Sequence, residues 1–475
     1  MRLEKDSLGE LYLHDELYYG IQTERARQNC SISRRTFENY PDVIWCLAAI
    51  KKSAALANSA IGVLEKKKAE AIVTAAEEIM DGKMQGQFPI DLFQGAGGTS
   101  LNMNLNEVIA NRANELLSGE KGYVLVHPNV HVNMGQSTND VIPSAMKMTN
   151  YLYIKELLQM VYTIERELAV KVTEFSNVVK IARTCLQDAV PITLGQQFSG
   201  YHSFIKRQIS ELENLKDYCL TITLGATAVG TGLGTSPGYE EKVYEYLREV
   251  SEIPVMKNNN FFDGMQHADL YVKISAVLKG LATGLSTMAA DFRLLSSGPR
   301  AGFSEITIPA VQPGSSIMPG KINPAMPEMM MQACFQVYGN DSVITMAVDR
   351  SEANINVWDN LIAKNLFESF ELLTNGIELF TEKCVKGIQA NKDVCLEYAE
   401  SSLANSTVLA LLFGYETASD IAKEAFKKDL SIKSIVIEKG LFTKEEADEL
   451  FDPLMLADPS RNNLIGSMYK KLKQV

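Results

Sequence analysis

The sequence predicts a mainly α-helical protein of three domains, arranged around a central bundle of long helices that assembles with further copies of itself. Apolar residues recur in steps of three and four at Ile154, Leu157, Leu158, Val161, Ile164, Leu168, Val172 and Phe175, which marks one face of a helix of roughly 30 residues. Further periodic segments fall at 202–224, 239–250, 265–296 and 325–389, and no run of similar length alternates with period two. At 475 residues the chain is also too long for one ordinary domain. The expected division is 1–140, mixed and helical; 141–392, the helix bundle; and 393–475, a small helical domain. Helices that long carry more apolar surface than one short bundle covers, so the chains are expected to associate through them.

Taken in order, residues 1 to about 45 read as short elements leading into a helix at 43–58. The glycine-rich QGAGGTSLNMN begins at Gln94, and the pattern over 106–117 is helical, which places Thr99, Ser100 and Asn102 at a helix N-terminus. Free N–H groups and the helix dipole favour a carboxylate there. A phosphate loop is a poor fit, because no strand precedes the glycines and no lysine follows in the Walker position. At 136–140 the run QSTND sets Ser137, Thr138 and Asn139 before a helix expected to start at about Pro143. The segments 183–196 and 225–239 read as two more loops between helices, and the glycines of the second suit a plain hinge equally well. Met326, Met329, Met330 and Met331 fit core packing. From about Leu396 the periodicity shortens, punctuated by Gly440, Pro453 and Pro459.

Charge and composition exclude several classes of function. Hydrophobic residues make up 46% and charged residues 22%, as in soluble globular proteins. A net charge of −12 with no basic stripe argues against nucleic-acid binding. An anionic ligand must then be held by a local cluster of donors, because the global field repels it. The seven cysteines lack metal spacing and are odd in number, which fits a reduced, cytoplasmic protein. Neither a signal peptide nor an apolar run of about 18 residues is legible, so no membrane partner is expected. Histidines spaced as at His127 and His131 can bind zinc, but with only five in the chain a metal site is not expected.

The densest chemistry lies at 314–328, GSSIMPGKINPAMPE. Gly314, Pro319, Gly320 and Pro324 break any helix, so the stretch is expected to be a loop that swings as a lid. Lys321 brings charge, Asn323 a directed amide, and Ser315 with Ser316 hydroxyls and adjacent N–H groups, a set suited to an anion. An ordinary surface turn is the competing reading for any short part of it.

The whole run resembles the signature loop of the aspartase/fumarase superfamily, GSSxMPxKxNP followed by a glutamate, and the resemblance extends over nearly the whole chain. YYGIQT (18–23), NMGQSTND (133–140), SSGPRAG (296–302) and EKCVKGIQANKDVC (382–395) are worded as in the aspartases of that family. Departures are Leu101, Val130 in place of a peripheral-site aspartate, Cys185 where fumarases and some aspartases carry histidine and others glutamine, Gly234 for asparagine, and Trp358–Asp359–Asn360 for a Met-x-Pro pattern.

The resemblance implies reversible elimination of ammonia from L-aspartate to give fumarate, by way of an aci-carboxylate and without metal or organic cofactor. It assigns Ser315 as base; Thr99, Ser137, Thr138 and Ser316 to the carboxylate that gains charge; and Lys321 and Asn323 to the other carboxylate. Thr184, Cys185 and Asn139 fall at the leaving-group end, and Glu328 closes the loop motif. It further implies a homotetramer whose active sites each draw on three chains. Fumarate hydration, elimination from another amine-bearing succinate, and a catalytically silent homologue are the alternatives; the intact Ser315, Lys321 and Asn323 speak against the last.

Overall fold

The computed structural model describes residues 1–458 and 460–472, so Pro459 lies outside the described residues. The chain divides into two compact units, Met1–Gln159 with Ser210–Ala282 and Phe335–Thr374, and Met160–Ile209 with Thr283–Cys334 and Asn375–Val475. The expected mainly α-helical fold is what the chain adopts. Its longest helices are Thr138–Glu174, Leu194–Tyr218, Asp269–Leu295, Ala325–Asp349 and Asp359–Lys383.

Within each unit these helices pack side by side. In the first, Ser275 and Lys279 donate to the Asp341 carboxylate at 2.7 and 2.6 Å. Asn340 donates to Ser369 at 3.0 Å, and Tyr271 to the Pro143 carbonyl at 3.3 Å. In the second, Phe198 stacks on Phe292 at 5.5 Å and Phe292 on Phe380 at 5.8 Å, joining three helices through aromatic faces. Near the C-terminus, Ser406–Phe413, Tyr415–Lys428, Ile432–Glu438 and Lys444–Leu450 enclose Leu409, Ile421, Ile435 and Leu450.

Several boundaries differ from the sequence expectation. The longest helix begins at Thr138 rather than near Pro143. Ser137 and Asp140 explain this: the Asp140 carboxylate accepts the Ser137 N–H at 2.9 Å while Ser137 Oγ accepts the Asn139 N–H at 3.3 Å. That reciprocal capping nucleates the helix ahead of the proline. The periodic segment 202–224 is the helix Leu194–Tyr218. The segment 325–389 is two helices, parted where Ala353 takes a left-handed backbone (φ 51°) and Asn356 caps Trp358 N–H at 2.9 Å.

The segment at 183–196 is no loop. Val179–Thr184 and Gln187–Thr193 form an antiparallel hairpin, and Cys185 and Leu186 are its two-residue turn. Both have positive φ, 54° and 59°, as a type I′ turn demands. Such turns usually announce themselves through Asn or Gly, and neither is present here.

Candidate active site

In the first unit three helix N-termini converge. Thr99 opens the helix Thr99–Ser118 after Gly98 in left-handed conformation (φ +84°). A Cβ on Gly98 would lie 3.1 Å from Ile142 Cγ1 and 3.2 Å from Asn360 Oδ1, so only glycine lets the start of this helix approach the starts of Thr138–Glu174 and Asp359–Lys383. Aligned N–H groups and converging dipoles make the place suited to an anion.

Four residues expected from sequence gather in this unit, each with part of its hydrogen bonding spoken for. Thr138 Oγ1 accepts from Asn102 Nδ2 at 3.1 Å, which leaves its O–H to donate. Ser137 Oγ likewise accepts, from Asn139 N–H. Asn139 gives its amide nitrogen to the Ala228 carbonyl at 2.8 Å and keeps Oδ1 as an acceptor. Thr99 turns both its hydroxyl, at 2.7 Å, and its backbone N–H on the Ala96 carbonyl.

Behind them lies a polar cluster that the sequence reading missed. Lys51 is fully buried, and its ammonium donates to Asn102 Oδ1 (2.7 Å), Gln136 Oε1 (2.9 Å) and Asn133 Oδ1 (3.0 Å). Burial lowers its pKa to about 7, against the pull of the Asp140 charge. Asp140 is buried too, and burial raises it to about 6 although it accepts N–H groups from Ser137, Gly225 and Thr227. Through those bonds one carboxylate ties QSTND to the glycine-rich 225–239 segment. The signal in the sequence was a lysine in the apolar run CLAAIK, on the face that the helix Pro41–Ala60 buries. Asn360 is buried with neither amide atom hydrogen-bonded to protein.

The remaining expected residues belong to the second unit. The loop runs to Pro324, and Glu328 stands in the first turn of Ala325–Asp349, 3.4 Å from Arg293 Nη2. Gly314 N–H donates to the Lys321 carbonyl and Asn323 Nδ2 to the Gly314 carbonyl, both at 2.8 Å, closing the loop at its base. A Cβ on Gly314 would meet Lys321 O at 2.6 Å, which is why a glycine stands there. Inside the loop Ser315 Oγ accepts the N–H groups of Met318 (3.0 Å) and Ile317 (3.2 Å). Two donors on one hydroxyl oxygen favour its charged form. Ser316 and Lys321 are exposed.

Thr184 and Cys185 stand exposed at the hairpin tip. Among the described residues no hydrogen bond joins that tip to the 314–324 loop. Among the described residues, too, no group of three or more His, Cys, Asp or Glu side chains could hold a metal ion. Among the described residues no helix is long and apolar enough to cross a membrane.

Comparison with known proteins places this helical chain in a family of lyases. Residues 9–339 match the family described as Lyase, and residues 406–458 the family described as Fumarase C C-terminus. The chain belongs to this lyase family, the aspartase/fumarase superfamily. It is similar to the aspartate ammonia-lyase of Helicobacter pylori (strain J99), 44% identical over 97% of this chain and 98% of that protein. The aspartate ammonia-lyase of Escherichia coli (strain K12) is 38% identical, over 97% of each chain. A cobalt-bound crystal structure of a fumarate lyase:delta crystallin from Brucella melitensis superposes with a TM-score of 0.93 at 41% identity, over 96% of this chain and all of that one. A class II fumarase from Schistosoma mansoni gives 0.92 at 36% identity, over 96% of this chain and 99% of that one.

Proposed function

We propose that this chain is an aspartate ammonia-lyase, a carbon–nitrogen lyase that converts L-aspartate reversibly to fumarate and ammonia. The observation that carries the reading is the closed loop around Ser315, whose oxygen lies under two N–H donors as a strong base requires. The name carried by the similar proteins agrees with it.

In the proposed mechanism the Ser315 oxygen takes a proton from C3 of aspartate. The electron pair passes into the neighbouring carboxylate, giving a dianionic aci-carboxylate. Ser137, Thr138 and Ser316 donate hydrogen bonds to that group, joined by the Thr99 hydroxyl once it turns from the Ala96 carbonyl, and each fixed donor contributes roughly 3 kcal/mol to the transition state. Lys321 and the free N–H of Asn323 hold the second carboxylate. Collapse of the aci-carboxylate breaks the C2–N bond, and the departing nitrogen is met by Thr184, Cys185 and the Asn139 Oδ1. Glu328 supports the loop from the helix start. Because these groups come from stretches far apart in the sequence, we further propose a homotetramer in which each site draws on three chains. Exposed Phe335, Met346 and Val170 on the long helices supply apolar surface for such an assembly.

Thr184 and Cys185 favour ammonia over water as the leaving group. A thiol is a weak donor and acceptor and cannot offer the imidazolium that a histidine gives for handling water. Fumarate formation from L-aspartate should exceed that from malate at least tenfold in kcat/KM, a difference of about 1.4 kcal/mol. Ser315→Ala should lower turnover by orders of magnitude while leaving the circular dichroism unchanged. Equal or greater activity on malate would reverse the assignment to a hydratase. Near-native turnover in Ser315→Ala would displace the base.

A further inference from the structure

We propose that Glu305 is a positioning residue for the hairpin tip that carries Thr184 and Cys185. The inference rests on the ammonia-lyase reading only for what the tip does; the clamp itself stands on geometry within the second unit.

Glu305 is fully buried, and its Oε2 is shared by Arg183 Nη1 at 2.9 Å and Lys180 Nζ at 3.0 Å. Residues three apart on a regular strand face opposite sides of it. The ladder is irregular here: the step from Ile181 to Arg183 faces one residue more on the partner strand, from Pro191 to Asp188, and the two long side chains nevertheless meet at one carboxylate oxygen. The carboxylate is held from behind. Glu305 N–H donates to the Leu295 carbonyl at 2.9 Å, and its own carbonyl accepts from Asn391 N–H at 2.9 Å. The next residues, Ile306–Thr307, pair with Gln389–Ala390. A fixed backbone therefore aims a fixed charge at the root of the hairpin.

The cations are themselves oriented. The Arg183 guanidinium stacks on Phe303 at 4.1 Å. Lys180 also donates to Gln197 Oε1 at 2.9 Å; Gln197 donates to Tyr201, and Tyr201 to Asp291 at 2.7 Å. The tip is thus wired through polar bonds to the helices Leu194–Tyr218 and Asp269–Leu295. Glu305 Oε1 is buried and has no hydrogen-bond partner among the described residues. A buried ion cluster with an unfilled acceptor is not what stability alone selects, since apolar packing serves as well. It does what a placement device does: Arg183 precedes Thr184 directly, so where Glu305 holds Arg183 fixes where Thr184 and Cys185 point.

The test uses the full-length protein with Glu305→Gln, which keeps the shape and removes the charge, and with Arg183→Lys, which keeps the charge and removes the fork, as a second variant should the first not fold. Two readouts are needed. Amide hydrogen exchange over 179–193 reports the order of the tip without substrate, and is expected to quicken at least tenfold there while other segments stay within threefold. Kinetics report its consequence: kcat/KM for L-aspartate is expected to fall at least tenfold, with the inhibition constant of succinate, which has no leaving group, changing less than threefold. Unchanged exchange over 179–193 in the folded variants would overturn the clamp. So would a loss shared equally by succinate binding, which marks general damage. Quickened exchange in a protein whose wild type does not act on L-aspartate would uphold the clamp and sink the ammonia-lyase reading instead.

Discussion

Lys51 shows how much a single buried charge can organise. Three amide oxygens meet its ammonium, and one of those amides, Asn102, in turn orients the Thr138 hydroxyl. Burial lowers its pKa to about 7 from the ordinary 10.5, and the sign of the stability effect follows. Below pH 7 folded and unfolded chains both carry the proton, and stability does not change with pH on its account. Between about 7 and 10.5 the unfolded chain keeps a proton that the folded one has released, so stability rises with pH. Relative to Lys51→Met, the wild-type melting temperature should therefore climb between pH 7 and pH 10. A difference between the two proteins that stays constant over that range would refute the lowered value.

At the scale of elements the hairpin is the instructive case. Its turn places two side-chain-bearing residues, Cys185 and Leu186, in the left-handed region. That conformation costs about 1 kcal/mol per residue unless the residue is glycine. Leu186 is 65% exposed, so its side chain adds little to packing. Leu186→Gly should raise unfolding stability by about 1 kcal/mol, seen as a higher melting temperature. A lower melting temperature would mean that Leu186 makes contacts in the assembled protein. The strained turn also accounts for the error in reading 183–196 as a loop. Hairpins are legible when their turns are written in Asn and Gly, and here an extra residue between Asp188 and Pro191 further blurs the alternation of the second strand.

At the scale of the whole molecule the expected residues fall into separate clusters. Thr99, Ser137, Thr138 and Asn139 belong to the first unit; Thr184, Cys185, Ser315, Ser316, Lys321, Asn323 and Glu328 belong to the second. The proposed tetramer predicts that sedimentation equilibrium returns four chain masses and that dilution below the assembly's dissociation constant abolishes fumarate formation. A fully active monomer would end the shared-site proposal. Single-site variants from different clusters should then complement one another when mixed tetramers are formed.

The sequence by itself determined the helical class, the run of long helices and the loop at 314–324, because each is written locally. Apolar residues at helical spacing, and Gly and Pro around Ser315 and Lys321, act over a few residues and need no partner to be recognised. Only the tertiary structure decided the helix start at Thr138, the hairpin at Thr184, the burial of Lys51 and Asp140, and the clamp of Glu305 on Lys180 and Arg183. Those depend on groups distant in sequence, such as Lys51 with Gln136, Asp140 with Gly225, and Arg183 with Glu305. A buried charge is stable only beside its partner, and the pairing is made by the fold.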